Sequence, residues 1–251
     1  MQTETQTDHE SVDTLYGGKV TLSQRRRGYR FTADAVLLAH SALGVRGDVI
    51  DLGTGCGIVP VVLGMFGKAG SVTGLEIQEG LASIASRNVL TNGLAGKVRI
   101  VTGDIRGVRA LFPPQLYDHV VSNPPYQPVD EGRINPDSEK AAARHEVLCS
   151  IADVVAAASY LLRGRGTFRI IYPNMRLVEL LAMMRKGGLE PRRMRFVHDR
   201  AADPSKVSVI EAVKGAGPGM EIGPPIVFRE PDGRPTAEYV KIFDSPEPVA
   251  E

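Results

Sequence analysis

The stretch Asp48-Val-Ile-Asp51-Leu-Gly53-Thr-Gly55-Cys-Gly57 decides the fold. Its first five residues, Asp48 to Leu52, read as a short buried strand. Ile58 to Phe66 reads as a helix, so the glycines sit in a strand-to-helix turn. Without a Cβ, Gly53 and Gly55 let the backbone bend sharply and approach a ligand closely. A dinucleotide fingerprint spaces its glycines G-x-G-x-x-G around a pyrophosphate at the helix N-terminus. Here Gly57 comes one residue early, and Ile58 stands where a dehydrogenase has Gly or Ala. Asp51, directly before the turn, would repel a diphosphate. It suits the positively charged amino end of a methionine moiety.

The same rhythm continues downstream. Val72 to Glu76 is a second strand, and Gln78 to Thr91 a helix with Leu81, Ile84, Ala85 and Val89 at helical spacing, stopped by Asn92-Gly93. Val98 to Val101 and Tyr117 to Ser122 are the third and fourth strands. Ile151 to Leu162 is a helix closed by Gly164, Thr167 to Tyr172 a fifth strand, and Met175 to Lys186 a helix stopped by Gly187-Gly188. Arg192 to Val197 and Val207 to Val213 form a terminal antiparallel strand pair. This alternation specifies an α/β, Rossmann-like fold, a mostly parallel sheet with helices on both faces and right-handed crossovers. Ligands in such sheets sit at the carboxyl ends of the strands.

Two further acids fall at those ends. Glu76, followed by Ile77, closes the second strand, where a carboxylate can accept both hydroxyls of a ribose. Asp104-Ile105 follows the third strand, a place suited to accepting a hydrogen bond from an adenine amine. The chain thus resembles the class I S-adenosylmethionine (SAM) methyltransferases, whose pattern is matched by Asp51, Gly53, Gly55, Gly57 and Glu76. The resemblance implies SAM as cofactor.

Asn123-Pro124-Pro125-Tyr126 follows the fourth strand directly. An amine conjugated to a ring or carbonyl is a weak nucleophile because its lone pair is delocalised. Acceptors around its N–H hydrogens favour pyramidalisation and free that lone pair. The Asn123 side-chain oxygen and the Pro124 carbonyl are candidates, held rigid by the prolines. Tyr126 offers a face on which a planar group can stack. No general base is needed beforehand, because alkylation makes the departing proton acidic. The tetrad resembles the amino-methyltransferase signature shared by adenine-, guanine- and glutamine-amide-methylating enzymes. It identifies an sp² exocyclic nitrogen and leaves the substrate open.

Gly28 to His40 precedes the sheet, with Thr32 placed to cap a helix, Asp34 in its first turn, and Val36, Leu37 and Ala39 on an apolar face. The block resembles the N-terminus of the bacterial tRNA1(Val) adenine-N6-methyltransferases, and the resemblance continues through Arg144-His-Glu146, Arg176-Leu177 and Arg193 to Val197. It implies that Arg30, Phe31 and Thr32 cover the cofactor and that the substrate is an adenine in the anticodon loop of a valine tRNA. The expected organisation is an unstructured tail over 1–14, a cap over 15–47 and a methyltransferase domain over 48–245. The long polar stretch 127–143 departs from the family pattern.

The chain has 251 residues, 43% hydrophobic and 24% charged, with a net charge of +1. That is ordinary for a soluble globular protein with a core of its own. Cys56 and Cys149 stand far apart, which excludes a disulfide framework and a zinc ribbon. Five histidines lack metal-ligand spacing, and no metal is expected. Acids without bases in the first thirteen residues oppose a secretory leader. Apolar runs are broken by Gly64, Asp153 or Gly164 before a membrane span is reached. A cytoplasmic protein without a membrane partner is expected.

The charges are segregated. Residues 19–30 carry Lys19, Arg25, Arg26, Arg27 and Arg30 without an acid; residues 184–200 carry Arg185, Lys186, Arg192, Arg193, Arg195 and Arg200 against Glu190 and Asp199. Convergence of the two would make a phosphate-binding face for tRNA. Two other readings compete: a protein glutamine-amide methyltransferase, and a catalytically silent SAM-fold subunit that binds RNA.

Overall fold

The computed structural model describes residues 10–26, 30–124 and 149–246. Its centre is a nine-stranded sheet in the order β10-β8-β9-β7-β6-β3-β4-β5, with β11 also pairing β8. The strands are β3 (Asp48–Leu52), β4 (Ser71–Glu76), β5 (Val98–Thr102), β6 (Tyr117–Ser122), β7 (Leu162–Pro173), β8 (Leu189–Arg200), β9 (Val207–Lys214), β10 (Glu221–Ile222) and β11 (Ile226–Arg229). Only β9 runs against its neighbours β7 and β8; the other pairings within the sheet are parallel.

Strand alternation divides the core. In β3, Val49 joins a core with helices α1 (Ala33–Ser41), α2 (Ile58–Phe66) and α3 (Glu79–Thr91), while Ile50 and Leu52 join one with α4 (Val108–Leu111), α5 (Ile151–Leu161) and α6 (Leu177–Lys186). Helix α7 (Ala237–Phe243) closes the first core through Ile242. Asp51 alternates with Val49, so it faces the α1–α3 side. No helix among the described residues is long and apolar enough to cross a membrane.

Three expectations need correction. Residues 10–14, expected in an unstructured tail, belong to strand β1 (Glu10–Leu15), which pairs antiparallel with β2 (Val20–Arg25). Tyr16, Gly17 and Gly18, all at positive φ, turn the hairpin, and its polar side chains find long-range partners, such as Glu10 on Arg87 at 2.5 Å. Thr32 occupies the N-cap position of α1 in extended backbone, but its side chain makes no cap hydrogen bond. Gly164 does not close a helix, since the chain enters β7 at Leu162.

The described members of the two basic clusters sit on well-separated elements. The hairpin packs on α2 and α3, and α3 lies on β4 and β5. From β4 to β8 is five strand steps, roughly 24 Å. The second cluster is itself spread out. Arg185 and Lys186 end α6, and β8 carries Arg192 to Arg200 along its length toward the carboxyl ends of the parallel strands. Several of its members are neutralised, Arg185 by Glu190 at 3.1 Å and Arg195 by Glu238 at 2.8 Å.

Candidate active site

Parallel register brings the motif residues together. Leu52 pairs with Ser122 and Leu75 with Leu52, so Gly53, Glu76 and Asn123 leave three adjacent strands at the same end of the sheet. The amides of Gly53 and Thr54 donate to the Leu75 carbonyl at 2.9 and 3.0 Å, tying the glycine turn to the end of β4. Gly103, next to Asp104, donates to the Glu76 carbonyl at 2.9 Å.

Left-handed backbone alternates through the turn, with Gly53, Gly55 and Gly57 at φ 78°, 59° and 84°. At Gly57 a Cβ would stand 2.9 Å from the Ala85 methyl, whereas on the Cβ side of Gly53 the space is open to 4 Å. Gly57 is therefore required by packing of α2 on α3. Gly53 is required by the backbone conformation and leaves a cradle.

Glu76 is buried and holds the loops in place. Its Oε2 accepts from the Gly55 amide and its Oε1 from the Gln78 amide, each at 2.9 Å. Each oxygen keeps lone-pair capacity for a further donor.

Asp51 is 2% exposed, and its Oδ2 has no hydrogen-bond partner among the described residues; the buried Thr54 hydroxyl beside it has none either. Burial pushes the Asp51 carboxyl up to about 7, and the Glu76 carboxylate adds to the rise. A buried carboxylate oxygen and hydroxyl without partners are costly unless a ligand supplies them. An ammonium group does so for the carboxylate. Asp51 and Thr54, the cradle at Gly53 and the Glu76 carboxylate thus fit SAM. Thr54 was not singled out from sequence, where a threonine between glycines gives no signal.

The remaining candidates are distributed around this centre. Asp104 caps a 3-10 turn over Ile105–Gly107 and is gripped by Arg106, whose Nη2 lies 2.6 Å from its Oδ2. The Arg106 hydrogen bonds hold the Asp104 carboxyl below its ordinary value. Its acceptor capacity toward a ligand is therefore shared. Ile77 and Ile105 are half-buried beside Glu76 and Asp104. Arg30 donates to the Ser11 hydroxyl at 2.8 Å and pairs with Asp13 at 3.1 Å, while the Phe31 amide donates to Gln24 Oε1 at 3.1 Å. These contacts tie the segment entering α1 to the hairpin. Thr32 is exposed. Asn123 is half-buried and Pro124 buried. Pro125, Tyr126, the stretch 127–143 and Arg144-His-Glu146 lie outside the described residues. Among those described, no group of three or more His, Cys, Asp or Glu stands where it could hold a metal.

Asn88 in α3 was passed over, and Asn92, read only as the stop of that helix, is its C-cap. Asn88 is 1% exposed and bonds both β2, through Ser23, and the glycine turn, through the Cys56 carbonyl at 2.8 Å; Asn92 bonds Thr21. The sequence signal is Asn88, an amide side chain inside a helix where Asn has poor propensity, one turn before the Asn92 cap.

Residues 32–175 match the family model of the methyltransferase small domain. The chain belongs to this family. A curated relative from Bacteroides fragilis, tRNA1(Val) (adenine(37)-N6)-methyltransferase, is 30% identical over 178 residues, covering 70% of this chain and 74% of its own. A protein of the same name from Tolumonas auensis is 26% identical over 227 residues, 89% of this chain and 92% of its own. Among solved structures, the predicted O-methyltransferase Atu636 of Agrobacterium tumefaciens superposes with a TM-score of 0.69 at 21% identity, over 87% of this chain and 99% of that one. That likeness speaks for the fold alone. The methyltransferase is SAM-dependent and belongs to the N-methyltransferases. Its α/β architecture is that of class I.

Proposed function

We propose that this methyltransferase modifies N6 of an adenine in tRNA, at the position beside the anticodon of a valine tRNA. The observation that carries the reading is the parallel pairing of β3 with β6, which sets Asn123 beside Gly53 at the carboxyl edge of the sheet. On this reading the target nitrogen and the cofactor seat share one end of two neighbouring strands. The names of the Bacteroides and Tolumonas relatives support adenine in tRNA as the acceptor.

Bound at the glycine turn, SAM supplies a methyl group on a sulfonium centre. Asp51 would hold the ammonium of its methionine part, Glu76 the ribose hydroxyls and Asp104 the adenine amine, with Ile77 and Ile105 against the ring. Arg30, Phe31 and Thr32 would cover the seat. The Asn123 side-chain oxygen and the Pro124 carbonyl would accept the two N–H hydrogens of the target amine. Holding both hydrogens draws the nitrogen lone pair out of conjugation and aims it. Tyr126 would stack on the base. Catalysis in this arrangement is positioning and electrostatics.

The test is label transfer from tritiated SAM to total tRNA, to protein and to DNA, followed by nuclease digestion. Label in tRNA that digests to N6-methyladenosine is expected. Label in glutamine side chains of protein would replace this reading with the amide-methylating one.

A further inference from the structure

Helix α3 holds β2 as a neighbouring strand would. Asn88 Oδ1 accepts from the Ser23 amide at 2.7 Å and its Nδ2 donates to the Ser23 carbonyl at 2.9 Å. One turn on, Asn92 Oδ1 accepts from the Thr21 amide at 3.0 Å and its Nδ2 donates to the Thr21 carbonyl at 2.7 Å. The spacings match. Four helical residues rise about 6.0 Å, and two strand residues about 6.8 Å. Both backbone groups of two alternate residues on the outer edge of β2 are satisfied by side chains of a helix.

The third bond differs: Asn88 Nδ2 donates to the Cys56 carbonyl at 2.8 Å, inside the glycine turn, whereas Asn92 Nδ2 donates to the Asn88 carbonyl at 2.7 Å, within the helix. Cys56 is fully buried. At the mouth of the hairpin Asp13 accepts from both Gln24 and Arg30. Arg25 reaches over Gly80 at the start of α3, beyond Glu76 and Gln78.

We propose that Asn88 is a positioning residue that links docking of the β1–β2 hairpin to binding of SAM. Its carboxamide is the junction through which the turn and the edge strand are held in register. A cofactor seated in the turn fixes Cys56, Cys56 fixes the Asn88 amide plane, and that plane fits Ser23 only when the hairpin is docked. The inference rests on the glycine turn being the cofactor seat. Linkage is reciprocal: whatever factor docking adds to cofactor affinity, the cofactor returns to docking. Asn92 lacks a bond to the turn and so holds the hairpin without sensing the cofactor.

Amide hydrogen exchange with and without S-adenosylhomocysteine, the demethylated product, tests this in the wild-type chain. Saturating product should slow exchange of the glycine-turn amides and also, by tenfold or more, of Thr21 and Ser23. Ser23→Pro removes the one N–H that faces Asn88 and leaves α3 intact. It should weaken product binding at least fivefold, whereas Asn92→Ala should leave that affinity within twofold while speeding exchange of Thr21. Slowed exchange in the turn with Thr21 and Ser23 unchanged would overturn the link and leave the seat standing. Product binding with no slowing in the turn would instead show that the seat lies elsewhere, and the link would fall with it. Equal losses of affinity in Ser23→Pro and Asn92→Ala would mean that docking is general scaffolding, against the role proposed for Asn88.

Discussion

Glu76 Oε2 accepts a hydrogen bond from the Gly55 amide at 2.9 Å. This contact fixes the middle of the glycine turn against the end of β4, and its twin from Gln78 to Oε1 fixes the start of α3. One carboxylate thus sets the shape of the proposed cofactor seat.

Glu76→Ala removes the acceptor of both amides together with the ribose contacts. Calorimetry should show SAM binding weakened by roughly 1–3 kcal/mol, with a lower melting temperature of the cofactor-free protein. Glu76→Gln should bind more tightly than Glu76→Ala because it retains one acceptor. Equal affinities for all three proteins would remove Glu76 from the seat.

Gly53 and Gly57 separate cradle from packing. Gly57→Ala meets Ala85 at 2.9 Å in left-handed backbone and should lower stability by ~2 kcal/mol or more. Gly53→Ala meets open space and bears only the conformational cost, about 1–2 kcal/mol. Its Cβ nevertheless enters the cradle, so SAM affinity should fall more than stability does. Thermal melts of both variants, with calorimetry for Gly53→Ala, make the comparison.

Asp51 predicts an inverted pH dependence. An aspartate ordinarily titrates near 3.9 in an unfolded chain, and burial has pushed this one up to about 7. Between those values the folded state binds more protons than the unfolded state, so this group makes stability fall as pH rises from about 4 to about 7, and the penalty then stays constant. Asp51→Asn should therefore melt higher than wild type at pH 8 without cofactor, with a smaller gain at pH 5. The same variant should bind SAM weakly, having lost the partner of its ammonium. A variant less stable than wild type at pH 8 would contradict the assignment of a buried, strained carboxylate.

The hairpin arginines and those of α6 should differ toward tRNA. Arg25 lies over the start of α3 near Glu76, whereas Arg185 and Lys186 end α6, which leaves the sheet at the site and runs away from it. Arg25→Glu with Arg26→Glu should weaken tRNA binding and flatten its salt dependence. Arg185→Glu with Lys186→Glu should leave both nearly unchanged. Filter binding over a salt series reads the slopes, and equal slopes for the two double variants would contradict the placement.

Legibility in the sequence followed the range of the interactions. Strands β3 and β6 and helix α2 have the bounds read from their residues, because apolar runs bordered by glycines or Asn-Pro specify them locally. Gly53, Glu76 and Asn123 were legible because strand ends in a parallel sheet meet by topology. The hairpin was not. Its first strand is mostly polar, and the partners that hold β2, Asn88 and Asn92, lie 65 and 71 positions away. Strands β10 and β11 were hidden for a related reason: a Gly- and Pro-rich stretch reads as loop until β8 offers it an edge. The Arg106 grip on Asp104 turned a ligand candidate into a shared acceptor, which two residues of spacing do not reveal.

Asn123, one step past the Ser122–Leu52 pair, is proposed to hold the reacting amine. Single-turnover methylation of a valine tRNA transcript by Asn123→Ala, with SAM affinity measured in parallel, tests it most directly. The expected cost is on the order of 2–4 kcal/mol in the barrier, a hundredfold or more in rate, with SAM affinity within about twofold of wild type. Methylation at a near-normal rate by Asn123→Ala would mean that this loop is structural and that the amine is held elsewhere.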